Sequence, residues 1–203
     1  LLEDLNCRYH ISQISSSKSV YTIEQKKDVV NFTTGVSINN LSLNENDIGD
    51  FRTFLKLSPP LRTEDDRVSL IKAINKNLID VIVSDHKPED EESKRLTFSQ
   101  AATGASGIET LLPLSLELFH NGSVKLFKLI ELLTSNPAKI LKINKGNLSI
   151  GNDADFCIVD IFKPWIVKKE KIVSKSKNTS IDDKKLQGQV LNTFIKGEEL
   201  FKI

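Results

Sequence analysis

The segment IDVIVSDHKP constrains the fold more than any other part of this sequence. The apolar residues between Ile79 and Val83 are β-branched, and so short a run suits a parallel strand buried on both faces. Polar Ser84, Asp85 and His86 follow at its C-terminal end, and then comes the charged stretch EDEESKR. In open α/β sheets and α/β barrels, ligands gather at the carboxyl ends of the strands, which makes this junction the first candidate site.

The flanking sequence has the alternation that a parallel sheet needs. YHISQIS, Tyr9 to Ser15, reads as a strand, and the serines after it can cap a helix from Lys18 onward. TTGVSINN reads as a second strand. FLKLSPPL runs extended into a proline pair, since the residue before a proline is driven out of the helical region. In RTEDDRVSLIKAINKN, Val68, Leu70, Ile71 and Ile74 recur at helical spacing, with Thr63 placed to cap the start. GIETLLPLSLELFHNG and SVKLFKLIELLTSNPAKILKI carry wide apolar stripes and read as packing helices. From Gly146 the pattern changes to short alternating strands punctuated by Gly and Asn, as in an antiparallel sheet, which places a boundary between residues 1–145 and 146–203. The lysine-rich PWIVKKEKIVSKSKNTS between those strands reads as a solvated loop and edge strand.

Composition narrows the function classes. With Lys+Arg 28 against Asp+Glu 27 the net charge is +1, which gives no reason to expect nucleic acid or an anionic membrane as partner. No stretch approaches the roughly 20 apolar residues that span a bilayer, and the start lacks the build of a signal peptide, so a cytoplasmic protein is expected. Cys7 and Cys157 have no metal-ligand or disulfide spacing and read as small buried hydrophobes. Methionine is absent and the chain opens in ordered-looking sequence, which leads us to expect a fragment or processed piece.

Three stretches in order resemble the dihydroorotase branch of the cyclic amidohydrolases. SPPLRTEDDRVSLIKAINKNLIDVIVSDHKP is similar to that family's NPPLR segment, helix and strand ending in TDHAPH. AATGASGIETLLPL is similar to its FGIVGLET segment, and LTSNPAKILKINKGNLSIGNDADFCIVD, with SKSKNT and LQGQV downstream, to its C-terminal pattern. The resemblance implies an α/β fold: the last three strand-helix units of a (β/α)8 TIM barrel, followed by the C-terminal strands of a small β-sandwich. Three barrel strands cannot close on themselves, so the remainder of the barrel is expected elsewhere, in the same protein or in a partner chain.

The resemblance also implies a chemistry. Family enzymes interconvert carbamoyl aspartate and dihydroorotate, with zinc activating water for attack on a cyclic amide. Asp85 stands at the family's last metal ligand and proton carrier. Gln13 stands where the family has a ligating His, and an amide is a poor zinc ligand. His10 lies three residues earlier, on the opposite face of a strand, and reads as structural. Ser58 replaces a substrate-touching Asn, and Glu89 replaces a substrate-facing His, where it would repel an anion. Thr103 takes the position of a Phe, while Gly104 is retained and would let backbone approach a ligand. His86 reads as structural. The implied activity is therefore a zinc-dependent dihydroorotase of pyrimidine biosynthesis with an eroded site. The alternative is a non-catalytic relative that supports aspartate carbamoyltransferase. A hydantoinase fits less well, because PPLRTEDDR and SKSKNT point to the dihydroorotase branch.

Overall fold

Residues 7–203 are described by the computed structural model. Strand β1, Tyr9–Ile14, leads through Ser16 into helix α1, Ser17–Lys26. The Ser16 hydroxyl accepts the backbone N–H of Ser19, one of the donors that a helix start leaves open. Strand β2, Phe32–Ser37, is shorter than the expected TTGVSINN: at Ser37 the chain turns into a short helix α2, Ile38–Ser42. The cause is local, because the Ser37 hydroxyl accepts the N–H of Asn39 at 3.3 Å and caps that turn.

Helix α3, Glu64–Asn75, starts where the sequence places it. Thr63 Oγ1 accepts the Asp66 N–H at 3.2 Å, and Asp66 Oδ1 accepts from both the backbone N–H and the hydroxyl of Ser17, which ties the start of α3 to the start of α1. The buried stripe Leu70, Ile71, Ala73 and Ile74 faces the core that Val20 and Ile23 of α1 also enter.

Strand β3 spans only Val81–Val83 rather than the whole of Ile79 to Val83. Asp80 interrupts the apolar run, and its Oδ2 accepts from Lys27 Nζ and from the Thr34 N–H, each at 2.7 Å. A partly buried carboxylate so supplied can sit at the start of a strand without the cost of an unpaired charge. The strands pair in parallel in the order β1-β2-β3, and a bridge between His86 and Ala105 continues the sheet by one more segment.

Helices α4, Glu91–Arg95, and α5, Leu111–His120, follow, and then the expected SVKLFKLIELLTSNPAKILKI divides into α6, Leu126–Leu133, and α7, Ser135–Leu141. The break falls at Thr134, whose φ of -129° and ψ of -78° leave the helix. Pro137 has no N–H to offer the preceding turn, so one continuous helix is unavailable there.

After residue 145 come three antiparallel strands in the order β4-β5-β6: Phe156–Ile166, Lys185–Ile195 and Glu198–Lys202. Gly188 of β5 has φ +105°, a backbone conformation that favours glycine, and a Cβ there would also meet Leu116 Cδ1 of α5, which would have to shift. Val167, Ile172, Ile181 and Leu186 belong to the same core cluster as α3 and α5.

Two expectations need correction. Cys7 and Cys157 are both exposed; Cys157 sits on a stretch of β4 whose neighbours Phe156 and Ile158 are also uncovered among the described residues. The lysine-rich segment is solvated only in part. Its end, Asn178 to Ser180, is buried, because these polar side chains supply hydrogen bonds to neighbouring loops.

Truncation of Leu70, which is fully buried on α3, is expected to lower the free energy of unfolding by about 2–5 kcal/mol, read from urea denaturation of Leu70→Ala. A second test concerns pH. Arg67 grips Glu64 with Nε and Nη2, Asn44 adds a third donor, and together they hold the Glu64 carboxyl down to about 2. A depressed carboxyl contributes stability above its unfolded value near 4.5, and this is lost as pH falls through about 2. Glu64→Gln should therefore be less stable than the parent at neutral pH, with the difference vanishing toward pH 2; the half-exposed pair keeps the effect small.

Candidate active site at the strand ends

Three successive strands deliver one side chain each to a common point. Gln13 is the penultimate residue of β1, Ser37 ends β2, and Asp85 follows β3. Gln13 Nε2 donates to Asp85 Oδ1 at 3.0 Å, and Ser37 Oγ donates to Asp85 Oδ2 at 3.4 Å. Parallel pairing causes this convergence, since strands that run the same way end at the same edge of the sheet. Asp85 adopts φ +50°, a left-handed conformation that Asp and Asn tolerate better than most residues, and this turns the chain out of the strand.

Burial pushes the Asp85 carboxyl above the ordinary aspartate range; the Gln13 amide, the Ser37 hydroxyl and the charge of Lys87 pull it back in part. A buried carboxyl so shifted at a strand end is a candidate functional group.

Beside it lies a second cluster built around Lys87. Its Nζ donates to Thr103 Oγ1 at 3.2 Å and stands 3.5 Å from Glu89 Oε1. The repulsion expected of Glu89 is therefore offset by a cation two residues before it. Gly104, with φ +138°, makes its close approach to protein: a Cβ would lie 2.5 Å from the carbonyl oxygen of Lys87. The Gly104 N–H donates to Lys56 O at 2.9 Å, two residues before Ser58, which is exposed on that loop.

Both histidines named from the sequence have protein partners. His86 Nδ1 accepts the backbone N–H groups of Gly107 and Ile108, at 3.1 and 3.4 Å. His10 Nδ1 meets Thr33 Oγ1 at 2.7 Å, near the opposite end of β1.

Asn178 holds the loops around this edge. Its Nδ2 donates to Gly104 O at 3.0 Å, and its Oδ1 accepts from Ser106 Oγ and the Glu89 N–H. Ser37, Lys87 and Asn178 were not singled out from the sequence. Ser37 carries the signal that exposed Asp85, a polar residue at the end of an apolar strand, and Lys87 stands inside the quoted SDHKP. Asn178 lies within the quoted SKSKNT, but its bracing role has no local signal, because its partners Gly104, Ser106 and Glu89 lie about 70 to 90 residues away in the chain.

A metal centre is not completed by these side chains. Among the described residues no three His, Cys, Asp or Glu side chains come together, and Asp85 alone supplies one carboxylate. One such ligand, beside an amide and a hydroxyl, does not fit a zinc pair.

Comparison with known proteins bears on the same edge. Residues 6–200 match the amidohydrolase family model. A dihydroorotase of Ehrlichia chaffeensis (strain ATCC CRL-10679 / Arkansas) is 40% identical over 198 residues, covering 97% of this chain and 44% of that protein. A dihydroorotase of Aquifex aeolicus (strain VF5) is 37% identical over 194 residues, covering 95% of the chain and 46% of that protein. Among solved structures, an L-hydantoinase (dihydropyrimidinase) from Arthrobacter aurescens superimposes with a TM-score of 0.91 at 27% identity, over 97% of this chain and 45% of that one. The chain thus spans about half the length of the relatives it matches. An α/β fold with a parallel edge that gathers Gln13, Ser37 and Asp85, together with a family model matched over nearly every residue, means that this chain belongs to the amidohydrolase family.

Proposed function

We propose that these residues form the C-terminal part of a dihydroorotase-type cyclic amidohydrolase and that Asp85 is its proton carrier. The observation that carries this reading is the convergence of Gln13, Ser37 and Asp85 from three consecutive strand ends, in a chain whose curated relatives are dihydroorotases. In hydrolysis of the cyclic amide, water loses a proton as its oxygen bonds to the ring carbonyl carbon, and the C–N bond then breaks as the nitrogen gains a proton. A carboxylate whose affinity for protons is raised by burial can take the first and return the second. Closure of carbamoyl aspartate is the same sequence reversed. Gln13 holds Oδ1, so the oxygen with only a long contact from Ser37, Oδ2, is the better placed for proton transfer.

The other residues sort by charge. Lys87 is the cation of this cluster, and it suits a substrate that bears a carboxylate, as carbamoyl aspartate and dihydroorotate do. Thr103 and Glu89 orient its ammonium; Ser58 and Gly104 belong to the loops that flank it. Zinc belongs to the family pattern, but any zinc bound here draws ligands from beyond the described set, with Asp85 as the one contribution of these strands. The open edges of the three-stranded parallel sheet support a larger barrel wall, completed by further chain or by a partner.

The first test is dihydroorotate hydrolysis by the protein expressed from its complete gene. Asp85→Asn keeps the shape and the left-handed turn but removes the proton-carrying carboxylate, and kcat should fall by about 10²–10⁴-fold. Full activity in this variant sinks the assignment of Asp85, and absence of turnover in the parent protein favours the scaffold role instead. The second test is charge selectivity. Lys87→Met should weaken binding of dihydroorotate by roughly fivefold, a loss of about 1 kcal/mol, and leave a neutral hydantoin-type ring unaffected when it is measured as a competitor. Equal weakening of both rings would assign Lys87 to loop structure rather than to the substrate carboxylate.

A further inference from the structure

Lys94 is the largest fully buried side chain in the described structure, with 2% of its surface exposed. A buried ammonium is costly unless its protons are taken, and nothing in the proton chemistry of Asp85 uses this one. Lys94 Nζ donates to Thr53 O at 2.9 Å and to Ala102 O at 2.8 Å. Thr53 Oγ1 in turn donates to the carbonyl oxygen of Lys94 at 2.5 Å, and the Ala102 N–H donates to Ser93 O at 3.1 Å.

These bonds join three segments: the turn at Thr53, 41 residues before Lys94, and the neighbouring stretches at Lys94 and Ala102, eight residues apart. Thr53 starts the turn that runs through Lys56 to Ser58. Lys94 lies on α4, just after Glu89. Ala102 immediately precedes Thr103 and Gly104, and the Gly104 N–H closes the circuit on Lys56 O. The same three segments carry every substrate-contacting position named from the sequence: Ser58, Glu89, Thr103 and Gly104.

We infer that Lys94 is a positioning residue, a buried cation that fixes the spacing of the three loops flanking the strand-end site and so sets how well substrate is held there. It touches no reacting atom and acts through the loops it braces. The kinetic consequence rests on the dihydroorotase reading; the bracing itself does not. Burial draws the Lys94 ammonium down to about 8, with Glu89 opposing that shift and Lys56 and Lys87 adding to it, which identifies the charged groups that face it. Hydrophobic packing alone would be served by Leu or Met, and neither would bridge two backbone carbonyls.

The test compares the complete protein with Lys94→Met, which keeps the length and removes the donors, and with Lys94→Gln, which keeps an N–H donor group. Amide hydrogen exchange should rise in Lys94→Met at residues 53–58 and 101–104 and stay unchanged along α3. KM for dihydroorotate should rise about tenfold while kcat changes less than about twofold, with Lys94→Gln recovering part of the loss. If Lys94→Met does not fold, Lys94→Gln against the parent gives the same readings at smaller amplitude. Exchange and KM unchanged in the folding variant, or exchange raised evenly across the core, overturns the inference. A parent protein without turnover overturns the dihydroorotase reading instead, and the exchange pattern then decides alone whether Lys94 positions these loops.

Discussion

The buried amide of Asn178 is the interaction on which the mouth of the parallel sheet depends. The loops after β3 have no repeating hydrogen-bond ladder, and buried backbone groups without partners cost about 1–3 kcal/mol each. Asn178 answers for several at once: it donates to Gly104 O and accepts from the Glu89 N–H and the Ser106 hydroxyl. Ser180 does similar work on the other side, donating to the buried Asn39 of α2 at 3.0 Å. A segment from the far end of the chain thus completes the polar wiring of loops laid down much earlier. Without it, the loop that follows Asp85 and the loop that carries Thr103 would be joined through Lys87, the bridge from His86 to Ala105, and the Gly107 and Ile108 N–H groups on His86 Nδ1.

Around that wiring the division of labour is clear. The parallel strands supply direction, bringing Gln13, Ser37 and Asp85 to one edge. Helices α1 and α3 supply the apolar cover that holds the strands in register, and α5 links them to the antiparallel sheet through the contact of Leu116 with Gly188. Buried cations and amides, Lys94 and Asn178, then fix loops that apolar packing leaves free.

The legible part of this architecture was whatever local spacing encodes. The caps at Ser16 and Thr63, the stripe Leu70 to Ile74, and the polar residues after the β3 strand all stand next to the elements they end or start. Boundaries failed where one side chain outcompeted a pattern: Ser37 stopped β2, Asp80 shortened β3, and Pro137 divided the last long helix. At the site, Asp85 and Gln13 were readable as strand-end residues and family positions, and the structure joins them. The direct contact between them was not readable, nor was the offset of Glu89 by Lys87, because both depend on side-chain direction across loops. Exposure of Cys7 and Cys157 was missed for a related reason: burial of a small thiol depends on what covers its sheet, and sequence patterning around it carries no such information.

The left-handed backbone at Asp85 has a consequence for how such a chain can change over time. At this φ the folded state accepts Asn nearly as well as Asp, because both short polar side chains visit that region. Stability therefore exerts little selection between the two, and what distinguishes them is the proton chemistry proposed for the carboxylate. On the proposed role of Asp85, a single base change would remove the proton carrier while leaving the shape and surface of the chain untouched, so inheritance of the fold is no guarantee of inheritance of the reaction.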